Sequence, residues 1–169
     1  MADYTTVDGA SVGILMGSVS DWPTMERAST MLGEFAVAHE CNVISAHRNP
    51  ARLQAYLKDA GERGVEIYIC AAGGAAHLAG VVAAHTDRPV LGCPMQGWSL
   101  DGLDSLLSTV QMPKGVPVAT FAIGGAGATN AAIFAVQILS GSDADLRGRL
   151  EAFRRNQGDA VAKIPVSGS

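Results

Sequence analysis

Short apolar runs alternate along the chain with longer stretches whose apolar positions recur every three to four residues. "SVGILM" (Ser11–Met16), "CNVIS" (Cys41–Ser45), "VEIYICAA" (Val65–Ala72), "PVLGCP" (Pro89–Pro94) and "PVATFAI" (Pro117–Ile123) read as buried strands. The stretches between them read as helices. Trp22–Phe35 is helical, with Asp21 or Ser20 as its N-cap. Asn49 caps a second helix that has Pro50 at its first position and runs to about Arg63. "GGAAHLAGVVAAHT" is a turn leading into a small-residue helix, and "LDGLDSLLSTVQ" is helical. "GGAGATNAAIFAVQILS" is a glycine-rich turn followed by an apolar helix. Ser142 or Asp143 caps a last helix reaching about Asn156, and a flexible tail is expected after it.

A strand–helix repeat with short connections and near-continuous apolar strands predicts a parallel sheet with helices on both faces. Right-handed crossovers turn this into a three-layer, doubly wound α/β domain. Five strands favour the flavodoxin-like order 2-1-3-4-5. The 169 residues suit a single domain, with a core of about residues 11–156 and a short N-terminal arm. Ligands in such folds lie outside the carboxyl ends of the strands, where strand order reverses between strands 1 and 3. That singles out three loops: "GSVSDW", "SAHRNP" and "GGAAHL".

Composition sharpens the expectation. Apolar residues make up 48% of the chain and charged residues only 17%. So little charge points to an outer surface partly buried against other subunits. The net charge is −4 and no basic cluster exceeds two adjacent residues, which argues against nucleic-acid binding. No apolar stretch approaches the roughly 18 residues of a membrane span. The start, "MADYTTVDGA", is polar and acidic, unlike a secretion signal. The three cysteines, Cys41, Cys70 and Cys93, lie in or beside apolar runs and form no C-x-x-C. They read as reduced thiols of a cytoplasmic protein.

The first loop opens a helix, where free N–H groups and the helix dipole attract an anion. Gly17 allows close backbone approach, and Ser18 and Ser20 add hydroxyls. Asp21 repels a phosphate, so it fits as an N-cap or as an acceptor for ribose hydroxyls; an ordinary capped turn is the competing reading. The second loop sets Ser45, His47 and Arg48 at a strand end. Arginine offers a planar fork to a phosphate or carboxylate, and histidine moves protons near neutral pH. In the third loop, Gly73 and Ala75 leave backbone N–H groups open to a ligand and His77 follows, although tight helix packing explains small residues equally well. His39 and His85 read as surface or helix-end residues. "GGAGATN" lacks the G-x-G-x-x-G spacing and follows the last strand, so helix packing at a subunit contact explains it better than a nucleotide does. There is no P-loop, no G-x-S-x-G elbow and no metal-ligand cluster, although His47 and His77 have the chemistry to converge on a metal.

Together, "MGSVSDW", "SAHRNP", "AAGGAAHLAG" and "GLDSLLSTVQMPKGVPVATFAIGGAGATNAA" closely resemble the class I N5-carboxyaminoimidazole ribonucleotide mutases of bacterial purine biosynthesis, over about residues 11–155. The resemblance implies a cofactor-free, metal-free isomerase. It would move a carboxylate from the exocyclic nitrogen of an aminoimidazole ribonucleotide to ring carbon 4, by decarboxylation and recarboxylation in a closed pocket. It implies substrate contacts from Ser18, Asp21 and Arg48, a catalytic His47 and a homo-octamer. Combined with the loop chemistry, Ser18, Ser20 and Arg48 would share the phosphate and Asp21 the ribose. Ser45 stands beside them, and Gly73, Ala75 and His77 would enclose the migrating carboxylate. Two positions depart from the family pattern: Ala79 where proline is usual, which loosens the expected helix start, and Gly125 where lysine is frequent. Two alternatives stay open. One is the related carboxylase that uses free carbon dioxide, against which Arg48 and "GGAAHL" argue. The other is a non-enzymatic nucleotide-binding module.

Overall fold

The computed structural model describes residues 4–161, except the side chains of Trp98 and Val161. Five parallel strands form one sheet in the order β2-β1-β3-β4-β5. They are β1 (Val12–Met16), β2 (His39–Val43), β3 (Ile67–Ala72), β4 (Val90–Pro94) and β5 (Ala119–Thr120). The order matches the sequence expectation, with β1 paired to both β2 and β3. Met16 is level with Val43 on one side and Ala71 on the other, so these three strands release their following loops at one height. The reversal of strand order therefore lies between the loops that the sequence singled out.

Six helices cover the sheet: α1 (Trp22–Glu34), α2 (Pro50–Glu62), α3 (Leu78–Ala83), α4 (Leu103–Val110), α5 (Gly125–Leu139) and α6 (Ala144–Val161). Alternate strand residues feed two separate cores. Ile14, Met16, Ile67 and Ile69 pack with Met25 and Leu32 of α1, the alanines of α5 and Leu146 of α6. Leu15, Tyr68 and Cys70 pack with Leu53, Tyr56 and Leu57 of α2 and with Leu78 and Val82 of α3. Burial on both faces explains why the strands read as unbroken apolar runs. Two glycines permit close packing on the second face. A Cβ on Gly13 would lie 2.6 Å from the Tyr56 hydroxyl oxygen, and one on Gly92 would lie 2.6 Å from a Thr109 methyl of α4.

The boundaries differ from expectation in instructive places. Strand β2 starts at His39 rather than Cys41 and ends at Val43. Its polar residues Glu40 and Asn42 are buried, which a search for apolar runs does not anticipate. They hold the N-terminal arm: Val7 N–H donates to Glu40 at 3.0 Å, and Asn42 exchanges two hydrogen bonds with the Thr5 backbone. Arg63 donates to both Glu40 oxygens at 2.8 Å. Strand β5 is two residues long instead of seven, an edge strand preceded by Pro117, which has no N–H to give. Helix α6 continues past Asn156 to Val161, and the rest of the expected tail lies outside the described residues. Asn49 accepts from Arg52 N–H at 3.1 Å, as its predicted cap role requires, and Asp143 caps α6 through Leu146 N–H at 2.9 Å.

His39 is not an idle surface residue. Its ring bonds Ser29 Oγ at 2.7 Å and the Val37 carbonyl at 2.9 Å. His85 does lie exposed at a helix end, bonded to Gln54. The glycines of "GGAGATN" have reasons within the chain. Gly127 lies against the Ala122 carbonyl, and a Cβ on Gly125 would meet the Arg27 side chain at 2.9 Å.

Candidate active site

The loops after β1, β2 and β3 enclose a cavity of about 490 Å³. All nine residues proposed from the sequence line it: Ser18, Ser20, Asp21, Ser45, His47, Arg48, Gly73, Ala75 and His77. Gly17, Ala46, Ala72 and Leu78 complete the wall.

The first loop enters α1 through a 3-10 turn, Val19–Asp21. Ser18 caps this turn: its Oγ accepts from Ser20 N–H at 3.3 Å and lies 2.8 Å from the Ser20 hydroxyl, while Asp21 stands at the expected N-cap position of α1. Asp21 makes no capping bond to α1. Burial pushes its carboxyl above the ordinary value, while the Ser18 amide and the Ser20 hydroxyl pull the other way. A part-buried carboxylate at a cavity wall keeps lone pairs for further hydroxyl donors beside these two.

The second loop is tied to the first. The Arg48 guanidinium donates to the Gly17 carbonyl at 3.0 Å, and Arg48 N–H donates to Ser45 Oγ at 3.3 Å. One carbonyl uses one of five guanidinium N–H groups, so the fork keeps donors for an anion. Across the cavity His47 Nε2 lies 3.0 Å from His77 Nδ1, with the rings nearly perpendicular at 89°. One nitrogen of such a pair must accept, so a single proton lies between the two rings. These two nitrogens face each other directly, and among the described residues no group of three metal-ligating side chains gathers. The two rings are within hydrogen-bond distance of each other.

Sequence reading missed the support behind the third loop. Gly74 N–H donates to Ser105 Oγ at 2.9 Å, and Ala76 N–H donates to Ser108 Oγ at 3.0 Å, both from α4. The trace in the sequence is two serines spaced i, i+3 on a helix that also carries Asp104 and Thr109. Ala79, in place of the family's proline, does not loosen the helix start: α3 begins at Leu78, with Ala79 buried.

A family model described as AIR carboxylase matches residues 11–160. This chain is a member of the AIR carboxylase family. Among its relatives is the N5-carboxyaminoimidazole ribonucleotide mutase of Vibrio parahaemolyticus, 54% identical over 91% of this chain and 96% of the relative. The protein of the same name from Bacillus subtilis is 53% identical over 89% of this chain and 93% of its own length. The crystal structure of Treponema denticola PurE superposes with a TM-score of 0.83 at 26% identity, covering 90% of this chain and 94% of that one. The family's three-layer fold is thus the fold observed here.

Proposed function

We propose that this chain is an N5-carboxyaminoimidazole ribonucleotide mutase, an isomerase of purine biosynthesis. One observation carries the reading. The three loops that distinguish the sequence close on a single cavity holding an anion fork, an acceptor carboxylate and a paired histidine. The names and extents of the curated relatives support it.

The substrate's single phosphate sits at the first loop, taking the Ser18 hydroxyl, Ser20 and the remaining N–H donors of Arg48. Asp21 accepts from the ribose hydroxyls. The exocyclic carboxylate lies along the third loop, against Gly73 and Ala75. Loss of carbon dioxide from the nitrogen leaves a nucleophilic ring carbon, and bonding of that carbon to the enclosed carbon dioxide sets the new carboxylate. The hydrogen on the ring carbon then leaves as a proton. His47, hydrogen-bonded to His77, takes it and delivers it to the exocyclic nitrogen, which ends as the amine, so the His47 ring returns to its starting state. Excluding water keeps carbon dioxide beside the ring. No step calls for a metal or cofactor. The protein works in the cytoplasm, where its three free cysteines stay reduced.

The test follows ultraviolet absorbance as purified protein meets each candidate substrate without ATP. Conversion of the carboxyamino nucleotide, in both directions, is expected. Turnover only of the bare aminoimidazole ribonucleotide with bicarbonate would make the protein a carboxylase. No turnover of either would make it a binding module.

A further inference from the structure

The third loop takes its shape from α4, and its backbone N–H groups divide into two alternating sets. Gly74 and Ala76 give theirs to Ser105 and Ser108, one turn apart on α4. Gly73 and Ala75 line the cavity, and among the described residues no protein acceptor takes their N–H groups. Both serines are anchored in turn. Ser108 Oγ lies 2.7 Å from the Asp104 carbonyl and 3.2 Å from those of Ser105 and Gly74, and it accepts from Ala76 N–H. Ser105 is fully buried and its N–H bonds Asp104 Oδ1 at 2.9 Å. Thr109, which donates to the Ser105 carbonyl at 2.7 Å, packs where Gly92 of β4 has no side chain, which holds α4 close to the sheet. Gly74 has a φ of +65°, the left-handed turn that reverses the direction of successive amides.

We propose that Ser105 and Ser108 are positioning residues. By drawing off the Gly74 and Ala76 amides they turn the Gly73 and Ala75 amides toward the carboxylate of the nucleotide. The physical logic is that a short glycine-rich loop has several arrangements of similar energy, and each has a different pair of N–H groups facing the cavity. Two fixed hydroxyl acceptors behind the loop select one of them. This inference rests on the proposed placement of the nucleotide. It predicts an effect confined to the carboxyl end of the substrate, because the phosphate anchors belong to other loops.

The test measures binding of two nucleotides, one carboxylated at carbon 4 and one lacking the carboxylate, by titration calorimetry. The proteins are the wild type, Ser105→Ala, Ser108→Ala, Ser108→Thr and, as a control, Arg48→Leu. Ser105→Ala and Ser108→Ala should each weaken the carboxylated nucleotide roughly tenfold, the scale of one hydrogen bond to a charged group. They should leave the decarboxylated one within about twofold, the scale of surface changes away from a contact. Ser108→Thr restores the hydroxyl and should recover most of the affinity. Arg48→Leu should weaken both nucleotides alike. Equal losses for both nucleotides in the serine variants, or no loss for either, would overturn the positioning role while leaving the site intact. An Arg48→Leu protein that binds both nucleotides normally would overturn the placement of the nucleotide and this inference with it. Thermal unfolding of each variant identifies any that fail to fold, and for those Ser105→Cys or Ser108→Cys, which replace the strong hydroxyl acceptor by a weak one at similar size, take the place of the alanine.

Discussion

At the scale of single residues, the most informative pair is His47 and His77. The facing nitrogens are 3.0 Å apart, within hydrogen-bond distance for passing a proton between the rings. His47→Asn keeps a polar group of similar reach but cannot carry a proton near neutral pH. Turnover should fall about 10²-fold or more, the usual scale for a general acid–base group, with nucleotide binding much less affected. Stopped-assay kinetics together with calorimetry check both halves, and near-normal turnover would move the proton to His77. Asp21 gives a prediction of a different kind. Burial raises its pKa in the folded chain, so the folded state holds its proton more tightly than the unfolded one does. Its contribution therefore becomes unfavourable as pH rises above the unfolded carboxylate value, and the cost is fully present above the raised folded value. Asp21→Asn should raise the melting temperature at pH 7 while weakening nucleotide binding. A variant that loses both would show that Asp21 braces the loop rather than the ribose. Much at this scale was legible in the sequence, because the chemistry-bearing residues sit in short contiguous motifs. What escaped was the capping by Ser18 and the His39 bonds, since neither a hydroxyl's choice of acceptor nor a ring's partner is fixed by local spacing.

At the scale of elements, strands buried on both faces were read almost to the residue, whereas the two edge strands were not. Edge strands have one neighbour and carry polar or proline residues there, so the apolar run stops marking their ends. Strand β2 shows the physical reason most clearly. Glu40 is 1% exposed and survives there only because Arg63 grips both its oxygens. Burial alone would push this carboxyl up, but the Arg63 hydrogen bonds and the Val7 N–H outweigh it and hold the pKa below the ordinary value. A depressed pKa adds stability above the unfolded carboxylate value, and that stability is lost as pH falls through the folded value. Glu40→Gln should cost about 2 kcal/mol at pH 7, less than the full penalty for a broken buried pair because Arg63 is partly solvated. The difference from the wild type should shrink as pH falls below the unfolded carboxylate value of about 4.3, and vanish only below the depressed folded value, where Glu40 is protonated in both states. Urea denaturation at several pH values measures this. A constant difference across the range would mean that the charge is not what matters. The support of the third loop by α4 was equally hidden, because the two serines meet glycine and alanine amides some thirty residues away in the chain.

At the scale of the whole molecule, the outer surface carries apolar side chains that the fold of one chain does not cover. Leu100, Leu103, Leu107 and Val110 form a stripe on and before α4 in which each is 46–57% exposed. Phe134 and Ile138 of α5 are each 38% exposed. A chain with only 17% charged residues has little else to keep such a surface wet. We expect a homo-oligomer that covers these side chains, an octamer by resemblance to the family, and light scattering at micromolar concentration should find it. A monomer there would refute the expectation. The central claim is the proposed reaction: a carboxyl group moves between two atoms of one nucleotide within a single cavity. Its most direct test supplies the carboxyamino nucleotide with ¹³C in the carboxylate, in buffer containing unlabelled bicarbonate, and follows product by NMR before equilibrium is reached. The label should stay with the product as it forms. Product that instead carries carbon from the bicarbonate pool would contradict a transfer confined to the cavity.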